Sequence, residues 1–233
     1  MTNSNSLQRD SDRDVPWQSD LPSDWKCMPL KYLVTINQQT LAENTQENFR
    51  IKYIDIGNVD SDGEIIATEE LEFGTAPSRA RRVVQVGDVL VSTVRTYLKA
   101  IAFCHYKEST LICSTGFAVL TPLSNVDPKF LFYWIRSTYC IDEIVARSSG
   151  VSYPAINASE IGNLPFPILN KAQQRRIAAF LDGKTAEIDD LVALKERQVA
   201  LLMKKRQALI SHAVTKGLDP HVTNARLRCR MAG

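Results

Sequence analysis

Nowhere in the 233 residues is there a run of roughly eighteen apolar residues, the length that a membrane-spanning helix needs. The opening stretch, Met1 to Asp20, is polar with scattered charges and does not read as a secretory leader. These absences predict a cytoplasmic protein with no membrane partner. The five cysteines (Cys27, Cys104, Cys113, Cys140, Cys229) are odd in number and never paired as CxxC, which argues against a disulfide framework or zinc site. Reduced thiols that mostly serve packing are expected. The three histidines (His105, His212, His221) are far apart and fit surface or interface positions better than a metal cluster or nucleophile relay.

Catalytic signatures are missing too. No GxxxxGKS or GxxxxGKT loop is present to cradle nucleotide phosphates. No Asn or Asp precedes Pro-Pro-Tyr to hold a flipped adenine, and no glycine-rich loop accompanies one for a methyl-donor cofactor. The acid pairs Asp189-Asp190 and Glu69-Glu70 are adjacent in sequence, so a regular element points their side chains apart. The expectation is a chain with no catalytic residue, cofactor or metal of its own.

What is present begins with charge. A net charge of +2 conceals a division: residues 1–170 carry 15 Lys/Arg against 20 Asp/Glu, residues 171–216 carry 10 against 5, and the tail carries 3 against 1. An acidic first region argues against an all-over basic nucleic-acid surface. The exception runs from Arg79 to Lys107, where six cations (Arg79, Arg81, Arg82, Arg95, Lys99, Lys107) face one acid, Asp88, with Tyr97, Phe103 and Tyr106 between them. Such a segment suits either a DNA-facing surface or a solvated basic β-surface.

Apolar period divides the chain further. Residues 1–20 lack it and are expected to be disordered. Order is expected from Trp25–Ile36 onward, with strands near Arg50–Ile56, Val83–Val94 (two runs joined at Gly87-Asp88), Ala100–Phe103 and Phe117–Leu120. Helical period follows over Pro128–Ile144, where Phe130, Leu131, Trp134, Ile135 and Ile141 share a face. Pro165 and Pro167 then force an extended path.

Asn170 and Gln173 have the spacing of an N-cap and its reciprocal partner, and Gly217 suits the left-handed position that ends a helix. One helix is therefore predicted from about Lys171 to Lys216. Its heptad seam sets Leu181, Ile188, Leu202 and Leu209 on one core position and Ala178, Val192, Val199 and Ala213 on the other, interrupted by Thr185, Lys195 and Arg206. A helix of this length with an apolar stripe needs a partner, and the sequence offers no second long helix to supply one.

The order of motifs resembles a half-length specificity subunit of type I restriction-modification systems. The resemblance is carried by Leu21-Pro-Ser-Asp-Trp25, Pro29-Leu-Lys-Tyr-Leu33, Gly87-Asp-Val-Leu90, Ser114-Thr-Gly-Phe117 with Thr121-Pro122, and Phe130-Leu-Phe-Tyr-Trp134. It continues through Ser149-Gly150, Tyr153-Pro-Ala-Ile-Asn157, Leu164-Pro-Phe-Pro-Ile168 and Gln174-Arg-Arg-Ile-Ala-Ala-Phe-Leu-Asp182. It implies an α+β architecture, one mixed α/β target recognition domain followed by one long C-terminal coiled-coil helix. The expected boundaries are 1–20 for a disordered segment, 21–169 for the recognition domain, 170–217 for the dimerisation helix and 218–233 for a flexible tail.

The resemblance also implies partners: double-stranded DNA, a second copy or another half-subunit, DNA methyltransferase (modification) subunits and a restriction translocase subunit. The usual specificity subunit carries two recognition domains and two helices, and this sequence offers one of each. Ile168-Leu-Asn-Lys-Ala-Gln-Gln174 departs from the family's commoner Pro-Leu-x-Glu-Gln. Expected DNA-binding residues are Arg79, Arg81, Arg82, Arg95, Thr96, Tyr97 and Lys99, with Ser149, Gly150, Ser152 and Tyr153 on a second loop. Two rival functions remain at this level: a coiled-coil adaptor whose globular domain binds protein, and a nuclease whose site carries no familiar motif.

Overall fold

The computed structural model describes Pro22, residues 25–108 and residues 110–218. The expectations for residues 1–20, for Cys229 and His221 and for the tail past Leu218 lie outside them, as do Leu21, Ser23 and Asp24 of the first motif. The fold is α+β, with ten strands and four α-helices among the described residues. The first strands are β1 (Cys27–Pro29), β2 (Val34–Ile36), β3 (Arg50–Ile54), β4 (Glu69–Glu72) and β5 (Ala80–Val83). They are followed by β6 (Val89–Ser92), β7 (Ile101–Phe103), β8 (Leu111–Ser114) and β9 (Phe117–Pro122). Then come α1 (Pro128–Ile135), α2 (Thr138–Arg147), α3 (Ala158–Gly162), β10 (Pro165–Pro167) and α4 (Lys171–Lys216).

Three layers organise these elements. An antiparallel sheet in the order β2-β9-β6-β7 lies at the centre, and a second sheet, β4-β3-β8-β5, joins β3 to β8 in parallel and is otherwise antiparallel. The central sheet is buried on both faces, which explains why its strands read as continuous apolar runs. Val89, Val91, Ile101, Phe103, Ala118 and Leu120 turn toward the core shared with α1, α2 and α3. Their neighbours Leu90, Ala102, Phe117 and Val119 turn to the opposite core, where they meet Ile54, Leu111 and Cys113 of the second sheet. Each such large side chain, fully buried, contributes about 1.5–3 kcal/mol.

The four described cysteines pack within the globular unit. Cys104, Cys113 and Cys140 are free and buried, and Cys27 is half-buried. Burial pushes the Cys104 thiol up to about 11 and the Cys140 thiol up to about 12, so both stay protonated and unreactive at neutral pH.

The single helical run expected over Pro128–Ile144 is two helices. Asp127 caps α1, its carboxylate accepting from Phe130 N at 3.1 Å, and Pro128 occupies the first helical turn. The Ser137 hydroxyl then accepts from Cys140 N at 3.3 Å and starts α2. A new N-cap turns the chain while Phe130, Leu131, Ile135, Ile141 and Ile144 still reach one core. The short helix α3 has no counterpart in the sequence reading, since five residues are too few to display a period.

Helix α4 starts as its cap predicts: Gln173 N donates to Asn170 Oδ1 at 2.9 Å and Asn170 N donates to Gln173 Oε1 at 3.3 Å. It ends at Gly217, whose φ of +76° is the left-handed conformation glycine adopts without a Cβ clash. Its 46 residues give a length of about 69 Å. The chain divides into two compact units, Met1–Ala179 and Phe180–Gly233, so the first turns of α4 belong to the globular unit. Gln174 and Ala178 are buried there, with Ile177 packed alongside, so Ala178 belongs to the core of the globular unit and not to the seam the heptad spacing assigned it.

Candidate nucleic-acid interface

The connection between β6 and β7 is a tight 3₁₀ turn, Thr96–Leu98, held between two residues in the left-handed region. Arg95 has φ 51° and Lys99 has φ 53°, a conformation that costs a side-chain-bearing residue on the order of 1 kcal/mol. Tertiary contacts hold it there. Arg95 N donates to Pro154 O at 2.8 Å, and Ile156 N donates to Thr93 O at 2.9 Å. Val94 and Ser149 each bridge to Ala155, so the β6–β7 connection and the α2–α3 connection form one unit.

A buried hydroxyl pair locks them together. Thr96 is almost fully buried, and its Oγ1 lies 2.9 Å from Ser148 Oγ. Ser148 has one hydroxyl hydrogen and donates it to Ile144 O at 2.7 Å, which makes Thr96 the donor in the pair. Thr96 is therefore placed as a brace behind the surface. Above it the Arg95 guanidinium stacks over the Tyr153 ring at 5.0 Å. Tyr97, Lys99, Ser149, Gly150, Ser152 and Tyr153 are exposed. Gly150 has φ 108°, and a Cβ there would sit 3.1 Å from Tyr153 O, so the tight return of this loop requires glycine.

A third segment joins them, and the sequence placed it in the Ser114-Thr-Gly-Phe117 motif without linking it to the loops. Thr93 donates to Gly116 O through N at 2.7 Å and through Oγ1 at 2.9 Å, and Thr115 N donates to Arg79 O at 2.8 Å. The Thr115-Gly116 turn thus links exposed Arg79 to the two loops. Thr115-Gly116 between two apolar strands was the available signal. The tip residue Val151, beside Gly150, is fully exposed.

Arg81 and Arg82 stand apart from this group. Both are half-buried in β5, where Arg81 stacks on Phe73 at 4.6 Å and donates through Nε to Ser78 O. Burial lowers the Arg82 pKa, and Arg82 Nε is enclosed without a hydrogen-bond acceptor. Among the described residues no group of His, Cys, Asp and Glu is arranged to hold a metal, and no helix is long and apolar enough to cross a membrane.

In the unit beginning at Phe180, Ile188, Val192, Val199, Leu202 and Leu209 are exposed, each at half or more of full accessibility, and Leu181 is half-buried. The apolar surface exceeds the predicted seam. Phe180, Leu191, Leu194, Leu201, Met203, Ile210 and Val214 are exposed as well. Between Ile188 and Lys204 the charged residues at heptad spacing are Asp190, Arg197 and Lys204 on one line and Asp189 and Glu196 on the next. A seven-residue template finds one stripe and overlooks its flanks.

The sequence profile of the family described as type I restriction modification DNA specificity domain matches residues 22–199. A putative type I restriction enzyme MjaX specificity subunit of Methanocaldococcus jannaschii is 22% identical over 87% of this chain and 48% of its own length. The type I restriction enzyme HindI specificity subunit of Haemophilus influenzae is 24% identical over 80% of this chain and 40% of its own. The chain therefore spans about half the length of the curated relatives it matches. Among solved structures, the HsdS subunit from Thermoanaerobacter tengcongensis superposes with a TM-score of 0.70 at 28% identity, covering 88% of this chain and 52% of that one. With most of its length matched by the profile and the same fold in a solved subunit, the chain belongs to the family of type I restriction modification DNA specificity domains.

Proposed function

We propose that this chain is the non-catalytic, sequence-reading component of a cytoplasmic type I restriction-modification complex, and that it acts as a dimer. The observation that carries the reading is the convergence of Arg95–Lys99 and Ser149–Tyr153 on one exposed surface through the Arg95–Pro154, Thr96–Ser148 and Arg95–Tyr153 contacts. Arg79, Arg95, Tyr97, Lys99, Ser149, Gly150, Ser152 and Tyr153 form the surface offered to double-stranded DNA. Arginine matches guanine edges, and lysine and hydroxyl groups match phosphates. Thr96 braces it from beneath, and Arg81 and Arg82 stiffen the neighbouring strand.

The helix takes a second copy or another half-subunit along Leu181, Ile188, Val192, Val199, Leu202 and Leu209. Charge supports an antiparallel arrangement of two copies. From Phe180 to Glu196 five acids (Asp182, Glu187, Asp189, Asp190 and Glu196) outnumber Lys184 and Lys195, whereas from Arg197 to Lys216 the charged residues are all basic. Reversing one copy about a two-fold axis near Arg197 sets acidic half against basic half and brings Leu202 onto Val192 of the other copy. The flank bearing Leu191, Leu194 and Leu201 is left for the DNA methyltransferase (modification) subunits, and a restriction translocase subunit completes the assembly where cleavage accompanies modification.

Two identical domains related by a two-fold axis read inverted copies of one half-site, with centres about one helical turn, roughly 10 base pairs, apart. Methylation-site mapping in cells that carry this chain and its modification subunit tests the proposal. A bipartite palindrome is expected. A continuous or asymmetric site, with this chain as the sole specificity component, refutes the symmetric dimer. A purified chain that binds protein partners but shows no salt-dependent affinity for duplex favours the adaptor reading instead.

A further inference from the structure

We infer that Arg95 is the base-reading residue of this surface, selecting a guanine, and that Tyr153 is the positioning residue that orients it; this rests on the DNA-reading function proposed above. The Arg95 guanidinium lies 5.0 Å over the Tyr153 ring and has no hydrogen bond or ion pair with any described residue. A ring face offers no lone-pair acceptor, so the contact leaves the five N–H donors of the guanidinium without a hydrogen-bond partner in the chain and available to a base. The planar edge that carries them matches the O6 and N7 acceptors of guanine.

Among the described residues Arg79, exposed on the same surface, lies over no aromatic ring, and further arginines are committed within the chain. Arg147 pairs with Glu143 at 2.8 Å and reaches Glu160, Arg136 donates to Ser61 O at 2.8 Å, and Arg175 lies 3.7 Å from Asp127. Arg81 and Arg82 are half-buried in β5. Arg95 differs in its backbone as well, since a left-handed residue is pinned by Pro154 O on one side and by the buried Thr96–Ser148 pair on the other. A side chain held at its root by two loops and along its plane by an aromatic ring loses little freedom on meeting a base. Lys99, the second left-handed residue of the turn, has a compact charge suited to phosphate and no planar edge.

Selection from a randomised duplex pool with the full chain and four variants tests the inference. Arg95→Lys keeps the charge and loses the planar edge. Arg95→Gly removes the side chain at a position whose φ glycine accepts, so the fold is retained. Tyr153→Phe keeps the ring, and Tyr153→Ala removes it. The wild-type pool is expected to show a G·C pair in each half-site, with its enrichment lowered about tenfold or more in Arg95→Lys and Arg95→Gly while the other positions stay unchanged. Tyr153→Ala weakens the same position and Tyr153→Phe preserves it. Wild-type selection with undiminished G·C preference in both Arg95 variants overturns the inference alone, and loss of that preference in Arg95→Gly with full retention in Tyr153→Ala overturns the role of Tyr153. A wild-type chain that selects no sequence overturns the DNA-reading function, and the inference with it.

Discussion

The side-chain oxygen of Gln174 accepts a hydrogen bond from the backbone N of Asp127 at 2.7 Å, tying the second turn of α4 to the cap of α1. The Gln174 amide nitrogen donates to Leu169 O at 2.8 Å and Asn125 O at 3.2 Å, so this almost fully buried polar group closes three backbone valences at once. Gln174→Ala is expected to cost about 1–3 kcal/mol, because the three backbone partners lose their bonds where water is excluded. Gln174→Glu should cost more, since a carboxylate oxygen then faces two carbonyl oxygens. Urea denaturation of the three proteins measures both, and an unchanged midpoint for Gln174→Glu would refute the buried-network account.

Asp88 gives a pH dependence with a definite sign. It is buried, and desolvation raises its pKa, although hydrogen bonds from Thr121 Oγ1 at 2.6 Å and Gln85 N at 2.7 Å partly oppose the shift. A carboxyl whose folded pKa lies above its unfolded value favours the fold when protonated. That contribution fades as pH rises from the unfolded pKa through the folded one. Asp88→Asn keeps an acceptor for Gln85 N, and the Thr121 hydroxyl reverses to accept from the amide. The variant is expected to match or exceed wild-type stability at neutral pH, with the difference closing toward about pH 4, near the carboxylate range. Denaturation at the two pH values decides, and a variant less stable at neutral pH than in acid, relative to wild type, contradicts it.

Two glycines should respond in opposite directions to alanine. Gly63 has φ 85°, and a Cβ there would lie 2.6 Å from Ile101 O and 2.8 Å from Phe132 Cζ. Gly63→Ala is expected to lose about 2 kcal/mol or more. Gly183 lies within α4 with nothing within 4 Å of its Cβ position, and Gly183→Ala should add about 0.5–1 kcal/mol of helix stability. Thermal unfolding of the pair checks the contrast; a destabilised Gly183→Ala would mean that this site is covered in the assembled protein.

Leu202 is exposed along α4, so Leu202→Asp should leave the fold of a single chain intact. In the proposed pair it sets an uncompensated charge in the seam and should weaken association by about 3 kcal/mol or more. Light scattering of the variant is expected to give the monomer mass. A wild-type chain that is itself monomeric at high concentration argues for pairing with a different half-subunit.

The one-dimensional features were legible because their causes are local. Asn170, Gln173 and Gly217 mark the ends of α4 through bonds and dihedral angles spanning a few residues, and the ordered motifs from Leu21 to Asp182 disclosed the family. Thr115 and Gly116 were less informative: their turn character is local, but its meaning lies in the bonds that Thr93 and Arg79 bring to it.

By itself the sequence determined that strands precede a long helix, that the helix carries an apolar seam at heptad spacing, and that cations and aromatics concentrate between Arg79 and Lys107. The tertiary structure decided which of these residues share a surface. Leu90 and Val91 point to opposite faces as neighbours on a strand must, yet both are buried because the central sheet is covered on both sides. Arg95 and Tyr153 meet although 58 positions separate them, whereas Arg81 and Arg82, closer to Arg95 in sequence, are half-enclosed in β5. Periodicity records burial along one element, but a shared surface depends on which elements pack together, and that is settled by long-range pairings such as Val94 with Ala155.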